Sequence, residues 1–122
     1  MGLSPYAVQR KHARYSLDVR ARLSTSDREI TVRMLDVSEG GVGLISPVEI
    51  PEDSSYALEF VFPTMQDVFR ANMELKSRNG FRYGFIFIDL DESNIALVRK
   101  YQRRWGIRAE DNYTERSARS RG

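Results

Sequence analysis

The chain has 122 residues, 41% of them hydrophobic and 30% charged, with a formal net charge of +2. These proportions are typical of a single globular domain and exclude a largely disordered chain. The absence of cysteine excludes disulfides and thiolate zinc sites, and no apolar run approaches the roughly 20 residues of a membrane span.

The first half of the chain alternates between apolar and polar residues. Residues 1–15 show no sustained period, so we predict a flexible N-terminal arm. Alternation over residues 17–23, and again over residues 30–36, predicts two strands joined by a polar turn. A glycine-rich segment follows, and residues 42–45 form a short predicted strand that ends before Pro47.

Three further strands are predicted in the second half. Residues 56–62, 69–75 and 81–87 each alternate, and Asn79-Gly80 predicts a tight hairpin between the last two. Six strands separated by turns predict an all-β fold, either a small antiparallel sandwich or a barrel.

One helix is predicted near the end of the chain. Asp91 can cap its start, and four apolar side chains share one face: Ile95, Val98, Tyr101 and Trp105. We therefore assign residues 16–106 to one domain, made of the strands and the C-terminal helix. Residues 107–122 show no periodic pattern of apolar residues, which predicts a disordered tail.

Side chains suited to catalysis or metal binding are sparse. His12 is the only histidine, which excludes histidine-rich metal sites. Acidic pairs such as Glu52-Asp53 and Asp91-Glu92 lie in predicted turns or at the helix start, where solvation or capping explains them. The glycines near residue 40 match neither a phosphate-binding loop nor the dinucleotide fingerprint. We therefore predict no enzyme activity, no metal and no cofactor.

One candidate binding element is basic. The segment RKHAR places Arg10 and Arg14 four residues apart, just before the first predicted strand. This spacing points both side chains to one side whether the segment is helical or extended. Each guanidinium can hold a phosphate or the O6 and N7 atoms of guanine. A solvated basic terminus also explains this element when it is taken alone.

The other candidate element is the segment LDVSEGGVGL, residues 35–44, between the second and third predicted strands. Gly40 and Gly41 lack Cβ atoms where the chain must turn or where a planar ligand approaches. Asp36 offers two acceptor oxygens that match the paired donors of guanine, and Ser38 can donate to a phosphate or bond locally. A glycine turn with a local side-chain bond also explains this segment.

Together, the two elements resemble the motifs of the PilZ domain family. Arg-x-x-x-Arg precedes the first strand, and Asp-x-Ser-x-x-Gly lies between the second and third strands of an all-β chain. The resemblance spans about residues 8–105 and includes residues 83–85, residues 87–91 and the closing helix. It implies a six-stranded PilZ-type barrel that binds cyclic di-GMP, a bacterial second messenger with two guanines and two phosphates. It also implies a stand-alone receptor in motility or biofilm regulation.

The resemblance implies a role for each motif residue. The two arginines would hold phosphate oxygens and the Hoogsteen edge of guanine, Asp36 and Ser38 would hold guanine on the barrel surface, and the glycines would allow its close approach. Some relatives carry a further arginine before the pair and bind a stacked ligand dimer. Here that position is Gln9, and Lys11 is a poorer bidentate donor, so we expect one ligand molecule per chain. The predicted ligand-binding residues are Gln9, Arg10, Lys11, Arg14, Asp36, Ser38, Gly40 and Gly41.

We expect the ligand to order the N-terminal arm, and we expect a downstream protein to recognise the surface formed in this way. We also expect the protein to be a cytoplasmic monomer that does not insert into a membrane.

One alternative is a PilZ-like adaptor that binds protein and no nucleotide, although such members usually lack one or both motifs. Another is a small barrel that binds RNA or single-stranded DNA. Residues 1–22 carry five Arg or Lys against one Asp, but residues 23–102 carry eight against thirteen acids, so the body offers no basic track and we predict no nucleic-acid partner.

Overall fold

The structure, a computed structural model, describes residues 12–52 and 54–104 and the backbone of residues 107–108. This part of the chain forms seven strands and one helix. They are β1 (Tyr15–Ser24), β2 (Glu29–Val37), β3 (Gly41–Ile45), β4 (Tyr56–Val61), β5 (Val68–Asn79), β6 (Arg82–Ile88), α1 (Glu92–Arg104) and β7 (Ile107–Arg108).

The first six strands close into an antiparallel barrel. They are hydrogen-bonded in the order β2-β3-β6-β5-β4-β1, and β1 pairs again with β2 to complete the circuit. The last residues of β1 pair with β4, whereas its first two pair with β7. The predicted six-stranded antiparallel barrel with a C-terminal helix is therefore confirmed.

The core follows the period-two alternation of the strands. Every strand of the barrel contributes a side chain that is at most 2% exposed, for example Leu23, Val32, Leu44, Leu58, Phe69 and Phe85. The rings of Phe60, Phe62 and Phe69 lie 4.7–6.0 Å apart, so aromatic contacts fill the part of the core between β4 and β5.

Helix α1 packs on this aromatic cluster. The Tyr101 ring stacks on Phe62 at 5.0 Å, and its hydroxyl donates to the carbonyl of Ser16 at 2.8 Å. Burial raises the pKa of this tyrosine. The predicted cap is present, because Oδ1 of Asp91 accepts a hydrogen bond from the backbone N–H of Asn94 at 2.9 Å. That bond lowers the pKa of Asp91.

The buried face of α1 differs from the predicted one in two positions. Val98 and Tyr101 are buried as expected, but Asn94 is buried with them while Ile95 is half-buried. The amide of Asn94 donates to the carbonyl of Arg70 on β5 at 2.7 Å, which satisfies a polar group at the helix–barrel contact. Trp105 lies outside the described residues.

The β5–β6 hairpin turns one residue later than predicted. Asn79 pairs with Arg82, so the two turn residues are Gly80 and Phe81. Gly80 has a φ of +66°, as the first central residue of a type II′ turn requires. Because Phe81 lies in the turn, it is 52% exposed and does not join the buried alternation.

Both predicted boundaries of the barrel shift by a short distance. Tyr15 was assigned to the arm, but it begins β1, because it pairs with Val37 on one side and Arg108 on the other. Ile107 and Arg108 form β7, so these two residues depart from the predicted disordered tail. Two residues are too few to show a period in the sequence. Residues 1–11 and 109–122 lie outside the described residues.

Candidate functional site

A β-bulge turns Asp36 to the outside of the barrel. On β2, Met34 pairs with Leu44 and Asp36 pairs with Gly43, so Leu35 is an extra residue relative to β3. Met34 points into the core. Without the extra residue, period two would point Asp36 inward as well. The neighbours of Gly43 are both fully buried, so Gly43 and the carboxylate beside it face outward.

Arg14 covers this carboxylate. Its Nη1 donates to Oδ1 of Asp36 at 3.0 Å, and the side chains are 22% and 11% exposed. A guanidinium has five N–H donors, and within the described residues one of them makes a hydrogen bond. The structure therefore brings Arg14 of the basic element into direct contact with Asp36 of the other element.

Ser38 holds the turn between β2 and β3. Its Oγ accepts hydrogen bonds from the backbone N–H groups of Gly40 at 3.0 Å and Gly41 at 3.1 Å. Its own N–H donates to the carbonyl of Gly41 at 2.9 Å, and the residue is 4% exposed. Of the two uses that the sequence left open for this hydroxyl, the structure shows the local one.

The two glycines of this turn have different surroundings. A Cβ on Gly41 would overlap the backbone carbonyl oxygen of Phe85, so the close pairing of β3 with β6 requires glycine here. A Cβ on Gly40 would instead lie 3.2 Å from the ring of His12. Strand packing thus accounts for Gly41, whereas Gly40 lies beneath the last residues of the N-terminal segment.

Gly43 is part of the site, although the sequence reasoning did not select it. A Cβ there would lie 2.9 Å from Oδ2 of Asp36, so the carboxylate fills the space of a side chain. Gly43 pairs with Gly84 on β6, where a Cβ would lie 2.6 Å from Oγ of Ser77. We call the pair Gly43–Gly84 the glycine strip. A glycine at an outward strand position was the available signal, because such glycines often mark a close approach.

An ion pair ties the turn to the helix. The guanidinium of Arg99 donates from Nε and Nη2 to the two carboxylate oxygens of Glu39, both at 3.1 Å. The backbone of the same turn is held by β6, since the N–H of Phe87 donates to the carbonyl of Gly40 at 2.9 Å. The hydrogen bond from Arg99, with a smaller effect of nearby His12, lowers the pKa of Glu39. The turn is therefore braced from two sides.

This ion pair predicts a pH-dependent effect of Arg99→Ala. Because the folded-state pKa of Glu39 lies below its ordinary value of 4.5, the pair stabilises the fold at pH 7 and stops doing so as the pH falls through the folded-state pKa. We expect Arg99→Ala to melt at a lower temperature than the unmodified protein at pH 7, and we expect this difference in melting temperature to shrink as the pH is lowered below 4.5. A difference that stays the same size over this range would contradict this account.

The structure thus brings several predicted site residues together on one outer face of the barrel. These are Arg14, Asp36, Ser38, Gly40 and Gly41, with Gly43 and His12 added. Gln9, Arg10 and Lys11 lie outside the described residues. Among the residues that are described, no cluster of three or more acidic, histidine or cysteine side chains could hold a metal, and α1 is not long and apolar enough to cross a membrane.

The sequence matches a known family model. The model described as the PilZ domain matches residues 8–104, which is most of the chain. No curated protein gives a significant match.

Solved structures with the same fold include three of particular interest. The PilZ domain with c-di-GMP of YcgR from Escherichia coli has a TM-score of 0.60 and 21% identity, over 93% of this chain and 96% of that one. The PilZ domain of CeSA from a cellulose-synthesizing bacterium has a TM-score of 0.58 and 14% identity, over 73% and 97%. The inhibitor of motility MotI/DgrA from Bacillus subtilis has a TM-score of 0.62 and 10% identity, over 76% and 48%.

Proposed function

Because this chain belongs to the PilZ domain family, we propose that it is a cytoplasmic bacterial receptor for cyclic di-GMP. The observation that carries the proposal is the contact between Arg14 and Asp36 on the outer face of the barrel, beside the glycine strip. The guanidinium of Arg14 matches a phosphate, and the two carboxylate oxygens of Asp36 match the paired donors on a guanine edge. A neighbour of the same fold, the YcgR domain, is described with this ligand.

The recognition we propose begins with an exchange of partners. In the structure the guanidinium of Arg14 lies on Asp36. A bound ligand would place a phosphate or the O6 and N7 atoms of guanine on the guanidinium. The carboxylate would then accept hydrogen bonds from N1–H and N2–H of a guanine. The phosphate or guanine edge on Arg14 and the guanine donors on Asp36 would together replace the hydrogen bond between these two side chains. Until the ligand arrives, that hydrogen bond keeps both side chains in position.

The base itself would lie over the glycine strip. Gly43 and Gly84 present no Cβ atoms to the outside next to the carboxylate. The carboxylate of Asp36 and the hydroxyl of Ser77 lie close to the positions that these Cβ atoms would take, so a planar ring would rest on two polar groups that lie flat against the strands. Ser38 would act indirectly in this arrangement, because its hydroxyl holds the turn that follows Asp36.

The N-terminal segment would supply the second half of the clamp. Arg10, with Gln9 and Lys11 beside it, enters the proposal through the resemblance of its motif. His12, the first described residue, lies over Gly40, so the N-terminal segment is described only from the point where it meets the site. Charge-assisted hydrogen bonds contribute about 1.5–3 kcal/mol each, and ordering the arm offsets part of that gain. The ordered arm would form the surface that a downstream protein reads.

Isothermal titration with cyclic di-GMP tests the proposal directly. We expect micromolar or tighter binding of one ligand molecule per chain, with GTP and cyclic GMP binding far more weakly because neither spans both halves of the clamp. In ¹H–¹⁵N spectra, the amides of residues 12–14 and 36–43 should shift. A folded protein that gives no binding heat would reject the receptor and favour the protein-binding adaptor. Displacement of the ligand by unrelated oligonucleotides would favour the nucleic-acid alternative.

A further inference from the structure

A row of arginines runs across the outer face of the barrel, next to the candidate site. Register pairs Arg20 on β1 with Arg33 on β2, Arg33 with Ile45 on β3, and Ile45 with Arg82 on β6. Residues paired in this way point to the same side of the sheet, and all four are exposed. With strands about 4.8 Å apart, the row is about 15 Å long.

The charge of this row is poorly compensated. Arg33 pairs with Asp18, but within the described residues Arg20 and Arg82 form no ion pair. Like charges directly opposite each other destabilise a strand pair, and Arg20 faces Arg33. The row is therefore an arrangement that folding alone does not favour.

Another outward row of the same barrel shows the opposite pattern. Glu59 on β4 lies between Arg22 and Arg70, at 3.7 Å from the first and 3.1 Å from the second. There each arginine faces a carboxylate across the strands. The excess of positive charge is thus local to the β1–β2–β3–β6 face and is not a general property of the barrel surface.

Exposed apolar side chains accompany these arginines. Ile45 is 43% exposed within the row, Phe81 next to Arg82 in the sequence is 52% exposed, and Val48, three residues after Ile45, is 43% exposed. The N–H of Ser46 donates to the carbonyl of Phe81 at 2.9 Å, so the β5–β6 turn lies beside the end of β3. We call this surface the basic face: Arg20, Arg33, Ile45, Val48, Phe81 and Arg82.

We propose that the basic face binds a protein partner whose surface carries carboxylates around an apolar patch. Arginine and aromatic residues are enriched in protein interfaces, and unpaired arginines complement an acidic surface. A nucleic-acid site would instead combine continuous positive charge with flat stacking residues. The basic face has a single flat ring, that of Phe81, and Ile45 interrupts the charge in the middle of the row, so it has neither continuous charge nor a series of stacking positions.

The basic face also adjoins the candidate ligand site. Gly43 and Gly84 lie two residues from Ile45 and Arg82 on the same strands, about 7 Å away on the same outer surface. A partner on the basic face would therefore contact a ligand bound over the glycine strip. The inference deepens the proposed function and rests on it for the downstream role of the partner.

The test uses the full chain and a defined probe, an acidic peptide that alternates glutamate with leucine. In ¹H–¹⁵N spectra we expect the peptide to shift the amides of Ile45, Phe81 and Arg82. Peptide affinity should fall at least about tenfold in the variant Arg20→Glu/Arg82→Glu, whose arginines have no ion pair to lose within the described residues. The matched control is Arg103→Glu/Arg104→Glu, which changes the net charge equally on α1 and should bind as the unmodified chain does.

The variant Phe81→Ser tests whether the peptide binds through apolar contact as well as through charge. It keeps every charge, and we expect weaker peptide binding because an exposed apolar contact is lost. Unchanged binding in this variant, or equal loss in both charge-reversal variants, would overturn the proposal. Tighter binding of phosphatidylglycerol vesicles or of a single-stranded oligonucleotide to the same residues would also overturn it. Melting curves of each variant show whether the barrel is intact.

Titration of cyclic di-GMP into the same proteins separates this inference from the proposed receptor function. Retained ligand binding with lost peptide binding in Arg20→Glu/Arg82→Glu supports the basic face as a separate surface. If the unmodified chain binds no cyclic di-GMP, the receptor function fails, and the peptide result alone decides whether the basic face binds protein.

Discussion

The variant Gly41→Ala is expected to lower the melting temperature by about 10–20 °C. The added Cβ would overlap the carbonyl oxygen of Phe85 and lie 3.1 Å from Cα of Ile86, and both atoms belong to the backbone of β6. Relief would require β3 and β6 to separate within a closed barrel. Overpacking costs about 1–3 kcal/mol or more, and each kcal/mol shifts the melting temperature of a domain of this size by about 4–8 °C.

The neighbouring glycine supplies the control. In Gly40→Ala the added Cβ would lie 3.2 Å from the His12 ring and 3.7 Å from Oγ of Ser38, which are both side-chain atoms. The imidazole can move, so we expect a shift of no more than about 3 °C. Thermal unfolding followed by circular dichroism measures both variants. Equal melting temperatures for the two would show that Gly41 does not hold β3 against β6 in the way described.

The variant Arg14→Ala is expected to weaken cyclic di-GMP binding by at least about tenfold, because at least one charge-assisted hydrogen bond of about 1.5–3 kcal/mol is lost. The guanidinium is the described cationic group that contacts Asp36, so no described neighbour replaces it. Isothermal titration measures the affinity. Unchanged affinity in a folded Arg14→Ala protein would show that Arg14 does not bind the ligand as we propose.

Two further variants give this experiment its controls. Arg22→Ala removes an arginine that pairs with Glu29 and Glu59 on another row of the barrel, and ligand affinity should stay within about twofold. Arg14→Lys keeps the charge but loses the fork, and we expect an intermediate affinity. If Arg22→Ala loses as much affinity as Arg14→Ala while Arg14→Lys loses none, the effect is one of overall charge and not of geometry.

The strands and the helix were predictable because their signals are local. Period-two alternation identifies a strand by itself, and Asp91 with a run of apolar residues identifies the helix start. Counting strands between turns left a sandwich and a barrel open, and the resemblance to PilZ domains implied the barrel, which the structure confirms. The predicted position of the β5–β6 turn was wrong by one residue. Asn79-Gly80 and Gly80-Phe81 are both acceptable turn pairs, and the register of the flanking strands decides between them.

The site was predictable only in part, because several of its features depend on tertiary pairing. The motif residues could be selected from the sequence, but the outward position of Asp36 depends on a bulge at Leu35 that no period reveals. The role of Gly43 depends on the carboxylate of a neighbouring strand, and the brace on Glu39 comes from a helix sixty residues away. Ser38 shows the reverse case, since its local bond was among the alternatives and the structure selects it.

The pairing of β7 has a consequence for how this domain can be joined to other proteins. Ser16 on β1 is flanked by Asp36 on one side and Ile107 on the other. Within the described residues, the start of β1 and strand β7 therefore run side by side, and two strand spacings place β7 about 10 Å from the backbone of Asp36. A reporter or module fused directly after Arg108 would start close to the candidate site, where it would be well placed to register binding and equally able to obstruct it.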